Sequence, residues 1–176
     1  SGEDTEVAAG SFPVVVFGHG FTIVWSDYEF IWEELAPSGY VLAFPRTEGN
    51  FLPNHLNFGK DLAFLSVTFQ ELNDSPESLF SNHIAEHTCI MGHSMGGGAS
   101  FLSIEYADTS VDTFITLAPA ETNPSSIEAA GDISIPALIF SGTNDCITPP
   151  ESHQTPMYEN LSSTCKTHVT ITGGSH

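Results

Sequence analysis

Ten residues constrain this chain more than any others: Cys89-Ile90-Met91-Gly92-His93-Ser94-Met95-Gly96-Gly97-Gly98, an apolar run that stops at glycines enclosing one serine. Within it, Gly92-His93-Ser94-Met95-Gly96 fits G-x-S-x-G, in which a strand turns sharply into a helix and presents the serine at the tip. Small residues are needed on both flanks because the turn brings backbone atoms close together, where a Cβ would clash. Ser94 is therefore the candidate nucleophile. The plainer alternative is a glycine-rich turn, and residues elsewhere in the chain must decide between the two.

The rest of the sequence reads as alternating strands and helices. Phe12-Pro13-Val14-Val15-Val16-Phe17 is a β-branched and aromatic run suited to a buried parallel strand, and it ends at Gly18-His19-Gly20-Phe21. Ser26-Asp27-Tyr28-Glu29 offers a capping box, Ser26 bonding forward and Glu29 back, for a helix with Tyr28, Ile31, Trp32 and Leu35 on one face and Pro37-Ser38-Gly39 at its end. Tyr40 to Phe44 is the next strand, closed by Pro45 and a loop through Asn54. Leu62, Leu65, Phe69 and Leu72 lie at helical spacing, predicting a helix over 58–72. After the strand Thr88 to Met91, the elbow leads into a helix over 95–106. Further strands are expected at 114–117, 137–140 and 169–171, with a short helix over 150–161 that Pro156 limits. The class is α/β: one doubly wound, mostly parallel sheet of about six strands flanked by helices. A chain of 176 residues suits a single domain with a sizeable core.

In such sheets, binding sites lie at the carboxyl ends of the strands. Four strand-end junctions therefore belong together: Gly18 to Thr22, Gly92 to Gly96, Gly142 to Cys146, and Gly173 to His176. They contain Ser94, Asp145 and His176 in the order Ser…Asp…His. A serine hydroxyl is a weak nucleophile until an imidazole takes its proton, and a carboxylate must hold that imidazole in the right tautomer. His176 is the expected base and Asp145 its partner, with a turn-forming Asx role the alternative for Asp145. The backbone N–H groups of Phe21 and Met95 are the expected oxyanion donors. His93 is expected to pack or hydrogen-bond beneath the elbow, pointing away from the tip of Ser94, and His19 to brace the oxyanion loop. His153 and His168 are expected to be structural or exposed, His153 being the alternative base. His55, His83 and His87 form no HExxH motif, so neither a metal site nor a cofactor is expected beyond adventitious calcium.

Charge narrows the partners. With 3 Lys+Arg against 22 Asp+Glu the formal net charge is −19, which repels phosphate backbones and anionic headgroups and argues against nucleic-acid binding. The acids are spread along the chain, as on a surface selected for solubility in salty water. No apolar run is long enough to span a bilayer, so no stable membrane insertion is expected. Ser1-Gly2-Glu3-Asp4 has the look of a processed start. Cys89 is expected to be a buried thiol. Cys146 and Cys165 either stay free or form a disulfide closing a loop of roughly 20 residues, worth on the order of 3 kcal/mol.

These blocks resemble a known group. Phe12 to Phe21, Gly92-His93-Ser94-Met95-Gly96-Gly97-Gly98, Leu117-Ala118-Pro119, Ile135 to Ile139 with Gly142-Thr143-Asn144-Asp145, and Gly173-Gly174-Ser175-His176 are similar to successive segments of α/β-hydrolases. The branch is that of bacterial cutinase-like polyester hydrolases, dienelactone-hydrolase-like proteins, chlorophyllases and platelet-activating-factor acetylhydrolases. The resemblance implies an α/β-hydrolase fold and a secreted or periplasmic serine ester hydrolase without cofactor. It also implies Ser94, Asp145 and His176 as triad and Phe21 and Met95 as oxyanion amides. Relative to that family the chain is expected to lack the first two strands and the last helix, as a fragment trimmed at both ends or a minimal hydrolase. Ala120 also follows Ala118-Pro119 where the polyester hydrolases carry tryptophan. The expected activity is cleavage of small-molecule, lipid or polymer esters through an acyl-enzyme. A non-catalytic binding protein on this scaffold and an acyltransferase with the same triad are the alternatives.

Overall fold

The computed structural model describes residues 6–107 and 111–176; the Ser1 to Asp4 start lies outside them. Six strands form one sheet: β1 (Phe12–Gly18), β2 (Val41–Ala43), β3 (Ile84–His93), β4 (Thr113–Leu117), β5 (Ala137–Gly142) and β6 (Lys166–Ile171). All neighbours pair in parallel, in the order β2-β1-β3-β4-β5-β6. This is the expected α/β-hydrolase architecture of a six-stranded parallel sheet flanked by helices.

Strand order explains where the site falls. The chain leaves β1 outward to β2 and returns on the other side of β1 as β3, so the winding direction reverses between β1 and β3. A crevice opens at such a reversal because successive connections diverge to opposite faces. Phe17 lies opposite Met91 and Gly18 opposite Gly92, so the loop after β1 and the serine elbow leave the sheet side by side. From β3 the order runs on through β4 and β5 to β6, which sets the loops bearing Ser94, Asp145 and His176 along one edge.

Alternation along the strands divides the core. Val14, Val16, Ile90, Phe114 and Ile139 are fully buried on one face, against Phe58 and Leu62 of α2 (His55–Asp74), Ala99 and Phe101 of α3 (Met95–Ser103) and Met157 of α5 (Gln154–Asn160). Phe17 buries on the other face beneath Tyr28 and Ile31, beside α1 (Glu29–Leu35). Each fully buried side chain of this size contributes about 1.5–3 kcal/mol.

Several boundaries differ from the sequence reading for local reasons. Asn54 accepts the Asn57 N–H at 2.9 Å, which starts α2 ahead of its apolar stripe. The expected Ser26/Glu29 capping box does not form: Ser26 lies inside a 3₁₀ turn at Trp25–Tyr28, and the Asp27 carboxylate accepts the Val24 N–H instead, at 3.3 Å. The elbow helix tightens to a 3₁₀ turn at Ile104–Tyr106. A five-residue helix, α4 (Ser126–Ala130), was not foreseen; it is too short to carry a periodic pattern, and Ser125 caps it by accepting the Glu128 N–H. All three cysteines are free, so the structure contains no Cys146–Cys165 bridge. Burial pushes the half-buried Cys89 thiol up to about 12.

The three basic side chains do not neutralise the acids. Arg46 sits 5.0 Å from the Trp25 ring centroid, Lys60 4.9 Å from Tyr106 and Lys166 5.0 Å from Tyr158. Among the described residues the carboxylates found in ion-pair contact, Asp112 and Asp145, face histidines. Salt therefore has much repulsion and few attractions to screen. Raising NaCl from about 0.1 M to about 1 M shortens the Debye length from about 10 Å to about 3 Å and should raise the melting temperature by several degrees. A constant or falling melting temperature in calorimetry would contradict this account of the surface.

Candidate active site

The elbow is built by backbone contact. Ser94 joins β3 to α3 at φ 53° and ψ −117°, a conformation that costs a non-glycine residue on the order of 1–3 kcal/mol. Surrounding bonds hold it there: the Ser94 N–H donates to the Leu117 carbonyl at 3.0 Å, and its carbonyl accepts from Ala120 at 2.8 Å and Gly98 at 3.0 Å. Glycine flanks are obligatory. A Cβ on Gly92 would lie 2.4 Å from the Gly96 carbonyl oxygen, and one on Gly96 would lie 2.2 Å from that of Gly18.

The structure brings the three expected side chains together. His176 Nε2 is 2.8 Å from Ser94 Oγ, and His176 Nδ1 is 2.8 Å from Asp145 Oδ2. The loops bearing the two partners are stitched to each other: Asn144 N–H donates to the Gly174 carbonyl at 2.8 Å, and Gly173 N–H to the Thr143 hydroxyl at 2.8 Å. Asp145 is both a turn residue and a partner for the imidazole. Its Oδ1 accepts the Ile147 and Thr148 N–H groups at 2.9 Å each, leaving Oδ2 for His176. Burial alone would raise its pKa; the N–H of Thr148, the His176 ring, the Thr148 hydroxyl and the N–H of Ile147 outweigh that and hold it at about 2.

Thr148 is the member the sequence reading missed. Its buried hydroxyl lies 2.8 Å from Asp145 Oδ2, 3.2 Å from His176 Nδ1 and 3.2 Å from the Ala118 carbonyl, so it braces the junction between carboxylate and imidazole. The available signal was its position three residues after an aspartate, the spacing at which such turns close.

The other histidines sort themselves by partner. Gly20 N–H donates to Tyr28 Oη at 2.7 Å, and Tyr28 Oη lies 2.9 Å from His93 Nδ1. Burial raises the Tyr28 pKa to about 12, so the phenol keeps its proton and donates it to His93. Burial, then the charge of His176, lowers the His93 pKa to about 4, and the ring stays neutral above that pH. His93 does hydrogen-bond beneath the elbow, and its ring lies 4.8 Å from that of His176, centroid to centroid. His19 braces the first loop through contacts at 2.9 Å with the Gly20 and Thr47 carbonyls. His168 lies 2.8 Å from the Ser141 hydroxyl, away from Ser94. His153 Nδ1 accepts the Glu121 N–H at 2.8 Å, and His176 occupies the place beside Ser94.

A cleft of about 400 Å³ opens onto Ser94, with Phe21, Phe51, Leu52 and Ile147 as its apolar lining. The Phe21 and Met95 N–H groups have no acceptor among the described residues. No group of three or more His, Cys, Asp or Glu is arranged to hold a metal among them, and no helix is long and apolar enough to cross a membrane.

Comparison with known proteins places the chain among ester hydrolases by similarity. Cutinase est1 of Thermobifida alba is 27% identical over 172 residues, covering 94% of this chain and 54% of the cutinase. Bis(hydroxyethyl) terephthalate hydrolase of Streptomyces coelicolor is 28% identical over 173 residues, covering 98% and 53%. Chlorophyllase-1 of Citrus sinensis is 25% identical over 190 residues, covering 98% and 56%. The chain thus spans about half the length of the curated relatives it matches. The profile of a family described as PET hydrolase-like matches residues 4–176, nearly the whole chain, and the chain belongs to that family.

Proposed function

We propose that this domain hydrolyses carboxylic esters through an acyl-enzyme on Ser94. The observation that carries the reading is the unbroken relay from Ser94 Oγ to His176 to Asp145, with both contacts at 2.8 Å. A carboxylate can only accept, so His176 Nδ1 carries the proton facing Asp145, and the bare Nε2 can take the proton of Ser94. Ser94 Oγ attacks the ester carbonyl carbon as its proton moves to Nε2. The resulting oxyanion is met by the Phe21 and Met95 N–H groups, each worth on the order of 3 kcal/mol in the transition state. Collapse breaks the bond to the alkoxide, which leaves as alcohol with the proton from His176. Water then repeats the sequence on the acyl-serine and releases the acid.

The apolar cleft suits the acyl portion of an ester, and Ala120 removes the indole face that a bulky neighbour would supply. Relatives named as cutinases and as a terephthalate ester hydrolase support ester cleavage as the reaction class. The strongly acidic surface suits an extracellular or periplasmic setting. The test is turnover of p-nitrophenyl butyrate by the folded protein. Nitrophenolate and butyrate released in equal amounts are expected; no release above buffer overturns the reading. Butyrate appearing mainly as an added alcohol's ester would assign the same relay to acyl transfer.

A further inference from the structure

The proposed oxyanion hole takes its two amides from separate segments, Phe21 from the loop after β1 and Met95 from the start of α3. The first part of that loop leans on the elbow: a Cβ on Gly96 would lie 2.2 Å from the Gly18 carbonyl oxygen and 2.6 Å from that of His19. Beyond His19 the support ends. Phe21 and Thr22 form the tip of a turn closed by the Ile23 N–H on the Gly20 carbonyl at 3.1 Å, with Thr22 at φ 56° and Phe21 half-exposed. A turn closed only on itself can swing about Gly20, the residue with the freest backbone, and would carry the Phe21 N–H with it.

Tyr28 removes that freedom. Its hydroxyl accepts the Gly20 N–H at 2.7 Å and lies 2.9 Å from Nδ1 of His93, the residue before Ser94. A backbone N–H only donates, so the phenol's own proton goes to His93, and one oxygen joins turn to elbow. Among the described residues no other side chain hydrogen-bonds to both segments. The bridge is rigid: Tyr28 is buried at the end of the 3₁₀ turn Trp25–Tyr28, its ring 4.7 Å from that of Phe17, centroid to centroid. A Cβ on Gly20 would lie 2.8 Å from Ile23 Cδ1, 3.1 Å from Tyr28 Oη and 3.2 Å from His93 Nδ1, so turn, phenol and elbow meet at one point. Packing against Phe17 and Ile31 accounts for the ring of Tyr28 and leaves the placement of its hydroxyl unexplained.

The geometry points to Tyr28 as a positioning residue: its hydroxyl clamps the oxyanion turn to the serine elbow and so sets the Phe21 N–H against the developing charge. This role rests on the proposed ester hydrolysis and deepens it. Tyr28 does not line the cleft onto Ser94, so it acts through the turn. Oxyanion donors work by standing in place before charge develops, and a displaced donor costs transition-state binding while leaving ground-state binding intact. Loss of the clamp therefore belongs in kcat rather than in KM.

Tyr28→Phe keeps the ring and removes the bridge, whereas Ile31→Val trims the same apolar cluster and keeps the bridge. With p-nitrophenyl butyrate, Tyr28→Phe is expected to lower kcat roughly 10–100-fold, short of the 10²–10³-fold lost with a whole donor, and to leave KM within about twofold. A butyl trifluoromethyl ketone, whose hemiketal with Ser94 carries the same oxyanion, should bind more weakly by a similar factor. Ile31→Val should lower the melting temperature by a few degrees and leave kcat and the ketone's affinity as in wild type. A second pair cuts the other end of the bridge. His93→Leu should show the kcat loss, and His93→Gln, whose amide oxygen can accept from the phenol, should recover part of it. Unchanged kcat in folded Tyr28→Phe, a loss carried by KM, an equal loss in Ile31→Val, or no recovery in His93→Gln overturns the role. If the wild type turns over no ester, ester hydrolysis itself has failed. The clamp is then read by backbone ¹⁵N NMR, where Tyr28→Phe should shift the amides of both Gly20 and Phe21 and Ile31→Val neither. An unmoved Phe21 amide overturns it.

Discussion

Ser94→Ala is expected to lower p-nitrophenyl ester hydrolysis by roughly 10⁵–10⁶-fold, because no other group can form the acyl intermediate once the hydroxyl is gone. The fold should survive. The bonds that hold the elbow run through the backbone of Ser94 to Leu117, Ala120 and Gly98, and none needs the side chain. Alanine is strained no more than serine at φ 53°. The melting temperature should stay within a few degrees of wild type, so lost turnover would report chemistry rather than unfolding. A folded variant that keeps wild-type turnover would remove Ser94 from the mechanism.

Asp145→Asn should cost about 10⁴-fold in kcat by a different route. The amide oxygen can still accept the Ile147 and Thr148 N–H groups, but the amide nitrogen then faces His176 Nδ1 and donates to it. That moves the ring proton to Nε2, where it blocks the transfer from Ser94. A second signature lies in stability. The native carboxyl is held at about 2 against an ordinary 3.8. Between those values the unfolded chain binds a proton that the folded chain refuses. The stabilisation is thus complete above about pH 4 and lost as pH falls toward 2, a swing of about 2 kcal/mol. Urea unfolding at several pH values, wild type minus variant, isolates it from the general relief of acidic repulsion. Parallel curves for the two proteins would contradict the assigned role of Asp145.

The proximity of Ser94, Asp145 and His176 was legible in sequence because its signals are local. Glycines at 92 and 96 mark a turn too tight for a Cβ, and apolar runs that end in Gly-His-Gly, Gly-Thr-Asn-Asp and Gly-Gly-Ser-His mark strand ends. Parallel order then gathers those ends on one edge. What sequence did not disclose depends on contacts between distant segments. Thr148 is recognisable as a brace only once β6 brings His176 beside it. His93 and Tyr28 meet across 65 positions. His153 and His55 meet backbone amides 32 and 68 positions away, which no spacing rule could supply. The misplaced cap at Ser26 has a smaller cause: two acids in one turn, Asp27 and Glu29, offer alternative partners, and the geometry of the 3₁₀ entry selected Asp27.

The most direct test of Ser94 as an activated nucleophile is covalent labelling. Folded protein treated with a fluorophosphonate, digested and mapped by mass spectrometry should carry one adduct, on Ser94, and the adduct should be absent when His176 is replaced by alanine. A folded protein that takes no label, or takes it on another serine, would contradict the relay from Asp145 through His176 to Ser94.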